Sequence, residues 1–363
     1  MTTPTFVRPK YAPVDRAAPP VVETLSAADH AAWDRFVRLA DGGTFFHRIA
    51  WMEAVHETFG HKAIYLLARR GGRIVGGLPL FHVQSLLGGT MLVSIPYAVY
   101  GGVLGNDSKA TTILLQHVSR LAEEMGARCV ELRSEQAVWP HVPVIDRYAG
   151  FRRRLPDDPG DVLGWLPRKA RAAARAARDK HKLEVSFDDQ HLATVWRLYC
   201  RSMHRLGSLN YPLKFFEELV HRSPGDHLVS LIRHQGKPVA GLVTFLFNGV
   251  AMPYFVGADE RFLHLNINNF VYLTAMERAV ELGCHTFDFG RSRADNEGAC
   301  AFKRHHGFTA KVLGYQVYTP PGERLLNLTP SNPKFALACR IWPLLPTPVA
   351  RTLGAWLSKH IPG

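Results

Sequence analysis

Residues 284–308 read CHTFDFGRSRADNEGACAFKRHHGF. Thr286, Phe287, Asp288 and Phe289 alternate as a short buried strand does. Gly290 breaks the strand and brings Arg291 and Ser292 to its end, the place where ligands sit in α/β sheets. Thirteen residues past Gly290 comes Lys303, flanked by Phe302 and His305. A buried acid, an arginine and a lysine around one strand end suit transfer chemistry at a carbonyl. The acid accepts a proton, and the cations hold an oxyanion or a phosphate. From the residues alone, the same three also fit a structural Asp288–Arg291 ion pair with Lys303 on a solvated helix face.

The chain around this stretch has 363 residues, enough for two domains and a sizeable core. Hydrophobic residues make up 47%, which excludes a disordered protein. Lys and Arg number 44 against 31 Asp and Glu, a formal net charge of +13 that favours an anionic partner. The five cysteines are scattered, with no Cys-x-x-Cys, which fits a reducing cytosol and argues against zinc or a disulfide framework. The histidines form no ligand pattern, so no metal site is expected. Neither a signal peptide nor a run of 18 apolar residues is visible, so the expected location is cytoplasmic.

Residues 1–20 carry five prolines and read as a disordered arm. From Val21 to Arg133 the pattern gives a strand, two helices, a hairpin around Gly71-Gly72, a third strand, a helix and a strand. Pro96 to Gly102 is a loop with two tyrosines and two glycines, open to close approach of a ligand. Arg152 to Arg154 and the Pro/Asp-rich 156–161 read as a junction between domains. A similar order follows it: helices, a hairpin around Gln235-Gly236, a strand, a helix from Asn266, and the strand at 286. Lys311 to Tyr318 closes the second sheet. Residues 321–363 form a Pro-rich basic tail.

Arg168, Arg171, Arg175, Arg178 and Lys182 step by 3, 4, 3 and 4, which sets five cations on one helix face. Seven Lys/Arg and one Asp between 168 and 182 give +7 − 1 = +6. A merely solvated face mixes signs; this one suits an anion. Asn268 opens a helix, where a cap or an anion would sit. Tyr211, in a loop, suits either packing or donation to a carbonyl.

Several motifs together resemble the FemAB family of acyltransferases, in particular the BioF2-like branch found beside exosortase (PEP-CTERM) and exopolysaccharide genes. They are Trp51 with Phe59-Gly60-His61, Gly76 to Leu80, Ser94 to Tyr97 with Gly101-Gly102, and Leu166 to Lys169. Tyr199 with Ser202 to Gly207, Tyr211-Pro212, Asn268-Asn269, Phe287 to Ser292, and Phe302-Lys303 with Gly307-Phe308 complete the set. The resemblance covers about residues 22–345. It implies two tandem GNAT-like α/β domains, with mixed sheets flanked by helices, over 21–155 and 156–320. It also implies acyl or aminoacyl transfer to an amine of an envelope or exopolysaccharide precursor, in the second domain. The donor would be aminoacyl-tRNA or acyl-CoA, with no bound cofactor and no metal. Asp288, Arg291, Lys303 and Tyr211 would carry the transfer. Arg168, Arg171, Arg175, Arg178, Asn268 and Ser292 would hold the donor.

Two departures qualify this. The long coiled-coil arm of some Fem proteins has no counterpart here. The Gly-rich pyrophosphate loop of CoA-dependent GNAT enzymes is replaced by the glycine-free 258–269. A CoA-dependent N-acyltransferase and a non-catalytic RNA- or envelope-binding protein are the competing readings. Trp342, Leu344, Leu345, Leu353, Trp356 and Leu357 beside Arg340, Arg351 and Lys359 suit either a tail packed on the body or peripheral contact with the inner face of the membrane.

Overall fold

The computed structural model describes residues 18–85, 89–323 and 333–361. Most of the expected 1–20 arm lies outside them. The first unit opens with β1 (Val21–Thr24), α1 (His30–Leu39) and α2 (Ile49–Phe59). Ser26 and Asp29 close a capping box ahead of α1, and Gly60 ends α2 in the left-handed region. β2 (Lys62–Arg70), β3 (Arg73–Ser85) and β4 (Gly89–Val93) follow, then α3 (Ser108–Glu124) and β5 (Cys129–Leu132). β4 and β5 are parallel and joined through α3. Leu66, Leu78, Leu80 and Leu92 bury one sheet face under Leu114 and Val118 of α3.

The second unit starts at β6 (Tyr148–Arg154) and continues through α4 (Val162–Trp165) and α5 (Arg168–Arg175). β7 (Glu184–Phe187), α6 (Leu192–Arg205), α7 (Leu213–Arg222), β8 (His227–His234), β9 (Lys237–Phe247) and β10 (Val250–Ala258) come next. α8 (Ile267–Glu281), β11 (Thr286–Arg293), α9 (Glu297–His305), β12 (Ala310–Val312) and β13 (Gln316–Tyr318) complete the sheets. α10 (Pro333–Ile341) and α11 (Thr347–Ser358) form the tail. The strand orders are β1-β2-β3-β4-β5-β13 and β12-β6-β11-β10-β9-β8-β7.

Two expectations are corrected here. Arg152 to Arg154 is not a junction: β6 lies between β11 and β12 in the second sheet, so the boundary at 155/156 falls after a strand that already belongs to the second unit. Tertiary partners absorb the charges that hid it: Arg152 meets Asp288, and the Arg153 guanidinium lies 3.6 Å from the Trp165 ring centroid. Lys311 to Tyr318 does not close one sheet either. β12 stays in the second, while β13 returns to pair with β5 in the first. The second unit therefore returns one strand to the first sheet.

α5 and α8 cover one face of the second sheet, and Ala170, Ala174 and Ala177 turn the buried side of the basic helix inward. The other face meets the first unit in one continuous core. Phe45 stacks on Phe245 at 4.3 Å, and Trp51 packs edge-on to Phe46, Phe215 and Phe245. α6 crosses β10 so closely that a Cβ on Gly257 would lie 2.2 Å from the Tyr199 nitrogen. Backbone cannot yield as a side-chain tip can. Gly257→Ala should cost about 3 kcal/mol, read as a lowered midpoint in urea unfolding with the slope unchanged.

Candidate active site between the two sheets

β10 and β11 are parallel but pair only at Val250–Ala251 with Thr286–Phe287, and then diverge. β11 also bulges against β6 between Asp288 and Arg291, where Gly290 takes φ +64°. The bulge folds the Gly290 N–H back onto the Asp288 carboxylate at 2.8 Å. Asp288 is fully buried. It also accepts from the Tyr100 hydroxyl at 3.1 Å and from the Arg152 guanidinium at 2.9 and 3.0 Å. Burial raises its pKa, and Arg152 and these hydrogen bonds only partly offset that. Asp288 thus has the environment expected of it, but its ion-pair partner is Arg152 and not Arg291.

Lys303 comes from α9, and its ammonium reaches the bulge. It donates to the carbonyls of Phe289 (2.9 Å), Gly290 (3.3 Å) and Arg291 (3.1 Å). Its Nζ lies 4.9 Å from the centroid of Phe151. It is buried, not solvated, and desolvation pulls its pKa down to about 8. His305, near it in sequence, is exposed. His306, with Nδ1 2.8 Å from the Phe302 carbonyl oxygen, is the buried histidine of the pair.

Arg291 is half-buried. It donates to the Tyr315 hydroxyl at 3.2 Å and lies 4.5 Å from the Tyr148 ring centroid. Tyr211 is also half-buried, in a cluster with Tyr97, Tyr199, Phe215 and Phe255. Its hydroxyl pKa is raised by burial, and Arg291 and Arg133 act on it in the opposite sense. Ser292 is buried in β11, and Asn268 is exposed at the start of α8. On the basic helix, Arg168 and Arg175 are exposed. Arg171 is turned to the Gly164 carbonyl at 2.9 Å, and Arg178 grips Glu277 at 2.6 and 2.7 Å. The five-cation face is therefore split, because two of its members brace α5 against its neighbours. The helix also changes to a π turn over Ala176–Lys180.

Two clefts open between the units, and the Arg152–Glu135 pair, at 3.6 Å, lines both. One, of about 360 Å³, is polar and cationic, lined by Tyr100, Arg152, Arg154, Thr286, Thr309 and Lys311 among others. The second, of about 180 Å³, sets Phe45, Phe46, Phe245, Phe247, Val250 and Met252 opposite the same Glu135 and Arg152. Sequence reasoning placed Tyr100 only in a loop open to ligands, and it missed Arg152, Glu135 and Lys311. The one signal for Arg152 was the alternation of Ala149 and Phe151 with Gly150 and Arg152, which three successive arginines obscured. Among the described residues no group of His, Cys, Asp and Glu could hold a metal, and no helix is long and apolar enough to cross a membrane.

Residues 167–304 match the family model described as an acetyltransferase (GNAT) domain. The second unit is a GNAT domain. The acyltransferase expected from the sequence is thus supported at the level of this domain, and the FemAB-type resemblance read from the sequence is borne out. FemX is similar in structure with a TM-score of 0.64 at 15% identity, covering 82% of this chain and 97% of that one. The C-terminal domain of a putative lysylphosphatidylglycerol synthetase from Agrobacterium fabrum has a TM-score of 0.53 at 11% identity, over 80% and 92%. A tandem GNAT protein from the clavulanic acid biosynthesis pathway has 0.51 at 13%, over 83% and 98%. These likenesses are of fold, and they bear out two GNAT-like units with mixed sheets. No curated protein matches the sequence.

Replacing Arg152 leaves a buried carboxylate without its cation. Arg152→Met should cost about 2–3 kcal/mol near neutral pH, the lower end for a broken buried pair because the arginine is partly exposed. The folded-state pKa of Asp288 lies above its unfolded value, so the folded state takes up the proton more readily. The deficit should therefore shrink as pH falls from neutral toward the carboxylate range. Urea midpoints of both proteins across that range check this.

Proposed function

We propose that the protein transfers an acyl or aminoacyl group from an anionic donor to an amine on a cell-envelope or exopolysaccharide precursor, as in the exosortase-associated branch. The observation that carries this is the point where β10 leaves β11. There a bulged strand end holds a buried lysine, and a buried acid lies directly behind Tyr100 and Arg152, which line a cleft between the units. The amine attacks the donor carbonyl, a C–N bond forms, and the ester or thioester bond breaks, so that the donor departs as its free hydroxyl or thiol, carrying the proton that the amine loses. The amine proton leaves through Tyr100 and Asp288, with Tyr100 lining the cleft and Asp288 behind it. Lys303 releases one of its carbonyls to hold the tetrahedral oxygen, with Arg291 beside it. Tyr211 borders the acceptor path at the Arg291 side. The chemistry is cytoplasmic, with the 321–363 tail toward the inner face of the membrane.

If Lys303 acts as an ammonium, its charge is lost as pH rises through about 8. The rate should then fall above that pH, and Lys303→Arg should remove this limb while keeping part of the activity. Lys303→Ala and Asp288→Asn should each lower kcat by about 100-fold with the fold intact. Wild-type turnover in both variants would sink the site assignment, whereas no turnover by the wild-type protein itself would favour a non-catalytic RNA- or envelope-binding role.

For the donor, aminoacyl-tRNA is favoured over acyl-CoA. A CoA pyrophosphate needs free N–H groups and close backbone approach. The 259–266 segment instead carries Asp259 and Glu260, both engaged by Arg201, and no glycine. Arg168, Lys169 and Arg175 are exposed cations for a large polyanion, with Asn268 and Ser292 in the same unit. Acetyl-CoA should bind no tighter than about millimolar in calorimetry. Charged tRNA should bind at least about ten-fold better at low salt in filter binding and lose that margin as salt rises. A micromolar acyl-CoA complex that transfers its acyl group would replace this reading with a CoA-dependent N-acyltransferase.

A further inference from the structure

Of the thirteen large hydrophobic side chains exposed among the described residues, seven lie between 337 and 361. Leu337, Ile341 and Leu344 step by 4 and 3 along α10 and the 3-10 turn after it. Val349, Leu353 and Trp356 repeat the same steps along α11. Those intervals set one face of a helix. Leu344 is 80% exposed and Trp356 52%. Isolated exposed apolar residues need no explanation, but two successive stripes do.

The tail cannot hide these stripes by folding back, because its other side is already committed. Ala350, Gly354 and Ser358 face the body. A Cβ on Gly354 would come within 2.4 Å of the Asn210 side chain. Asn210 donates to the Arg351 carbonyl at 3.1 Å, and the buried Tyr97 hydroxyl donates to the Ser358 carbonyl at 3.2 Å. His204 Nε2 lies 3.1 Å from the Trp342 carbonyl oxygen. The tail is thus held against α6 and the 94–102 loop, with its apolar stripes turned outward.

Charge indicates what covers them. Residues 324–363 contain five Lys or Arg and neither Asp nor Glu. Arg340 is exposed beside Ile341, Arg351 lies over the Trp196 ring at 5.5 Å, and Lys359 lies over Trp356 at 5.8 Å. Apolar stripes flanked only by cations match a surface with an oily interior and negative headgroups. A second copy of this chain, itself strongly basic, would bring like charge to the same face.

We propose that the outward faces of α10 and α11 dock the protein on an anionic lipid bilayer, with Leu344, Leu353 and Trp356 entering at headgroup level. This deepens the location proposed above but is independent of the chemistry, so it would stand if no acyl transfer occurred. The Tyr97–Ser358 contact places the lipid face one loop away from Tyr100 and the polar cleft.

The test is sedimentation of the full chain with phosphatidylcholine vesicles, with and without about 30 mol% phosphatidylglycerol. Anionic vesicles should bind at least about ten-fold more protein, and salt should reduce the margin. Leu344→Glu and Trp356→Glu, made separately at exposed positions, should each abolish most binding while the melting temperature holds. Arg340→Glu should weaken binding to anionic vesicles. Equal binding by wild type and variants, or none by wild type, overturns the proposal. So does a wild-type dimer in light scattering that Leu344→Glu dissociates, since the stripes would then belong to a second copy.

Discussion

The carboxylate of Asp288 is the constraint on which the rest of the site depends. A fully buried acid next to a sheet centre is tolerated only with its lone pairs met. Three separate parts of the chain meet them: the Gly290 N–H from its own bulge, Arg152 from β6, and Tyr100 from a loop of the first unit. Each partner fixes something else. Gly290 fixes the bulge that turns three carbonyls toward Lys303. Arg152 fixes the wall that divides the two clefts. Tyr100 fixes the first unit's loop over the second unit's strand end.

The aromatic core makes that arrangement rigid. Phe45, Trp51, Phe215, Phe245 and Tyr254 belong to both units, and their rings pack as in the interior of one domain. Hinge motion between the units would have to expose these rings to water. The clefts are therefore formed features of the fold, with the half-exposed Arg152–Glu135 pair lining both.

Much of this was legible in the sequence, for identifiable reasons. Gly71-Gly72 and Gln235-Gly236 mark hairpins because their positive φ values suit tight turns. Gly290 marked a strand break, and it does take φ +64°, although the strand runs through it to Arg293 as a bulge. What stayed hidden depended on distant partners. No local pattern reveals that Arg152 pairs with the buried Asp288, or that Arg178 is occupied by Glu277. Charge looks solvated in a sequence until a partner from far along the chain is known. Lys303 shows the same limit: its position was readable, but the carbonyls that hold it exist only after β11 bulges.

The returning strand also bears on how the protein is made. Synthesis delivers the chain from its N-terminus, and domains generally fold as they emerge. Here the first sheet cannot acquire its sixth strand until residues 316–318 are out, because β13 pairs with β5. β5 must wait with an open edge while residues 133–315, about half of the chain, are made and β6 and the second sheet assemble. An unpaired edge is a template for wrong pairing. Newly made chains are therefore exposed to misassembly until their last strand arrives, and a stop codon shortly before Gln316 would leave both sheets nearly complete but the first one unclosed.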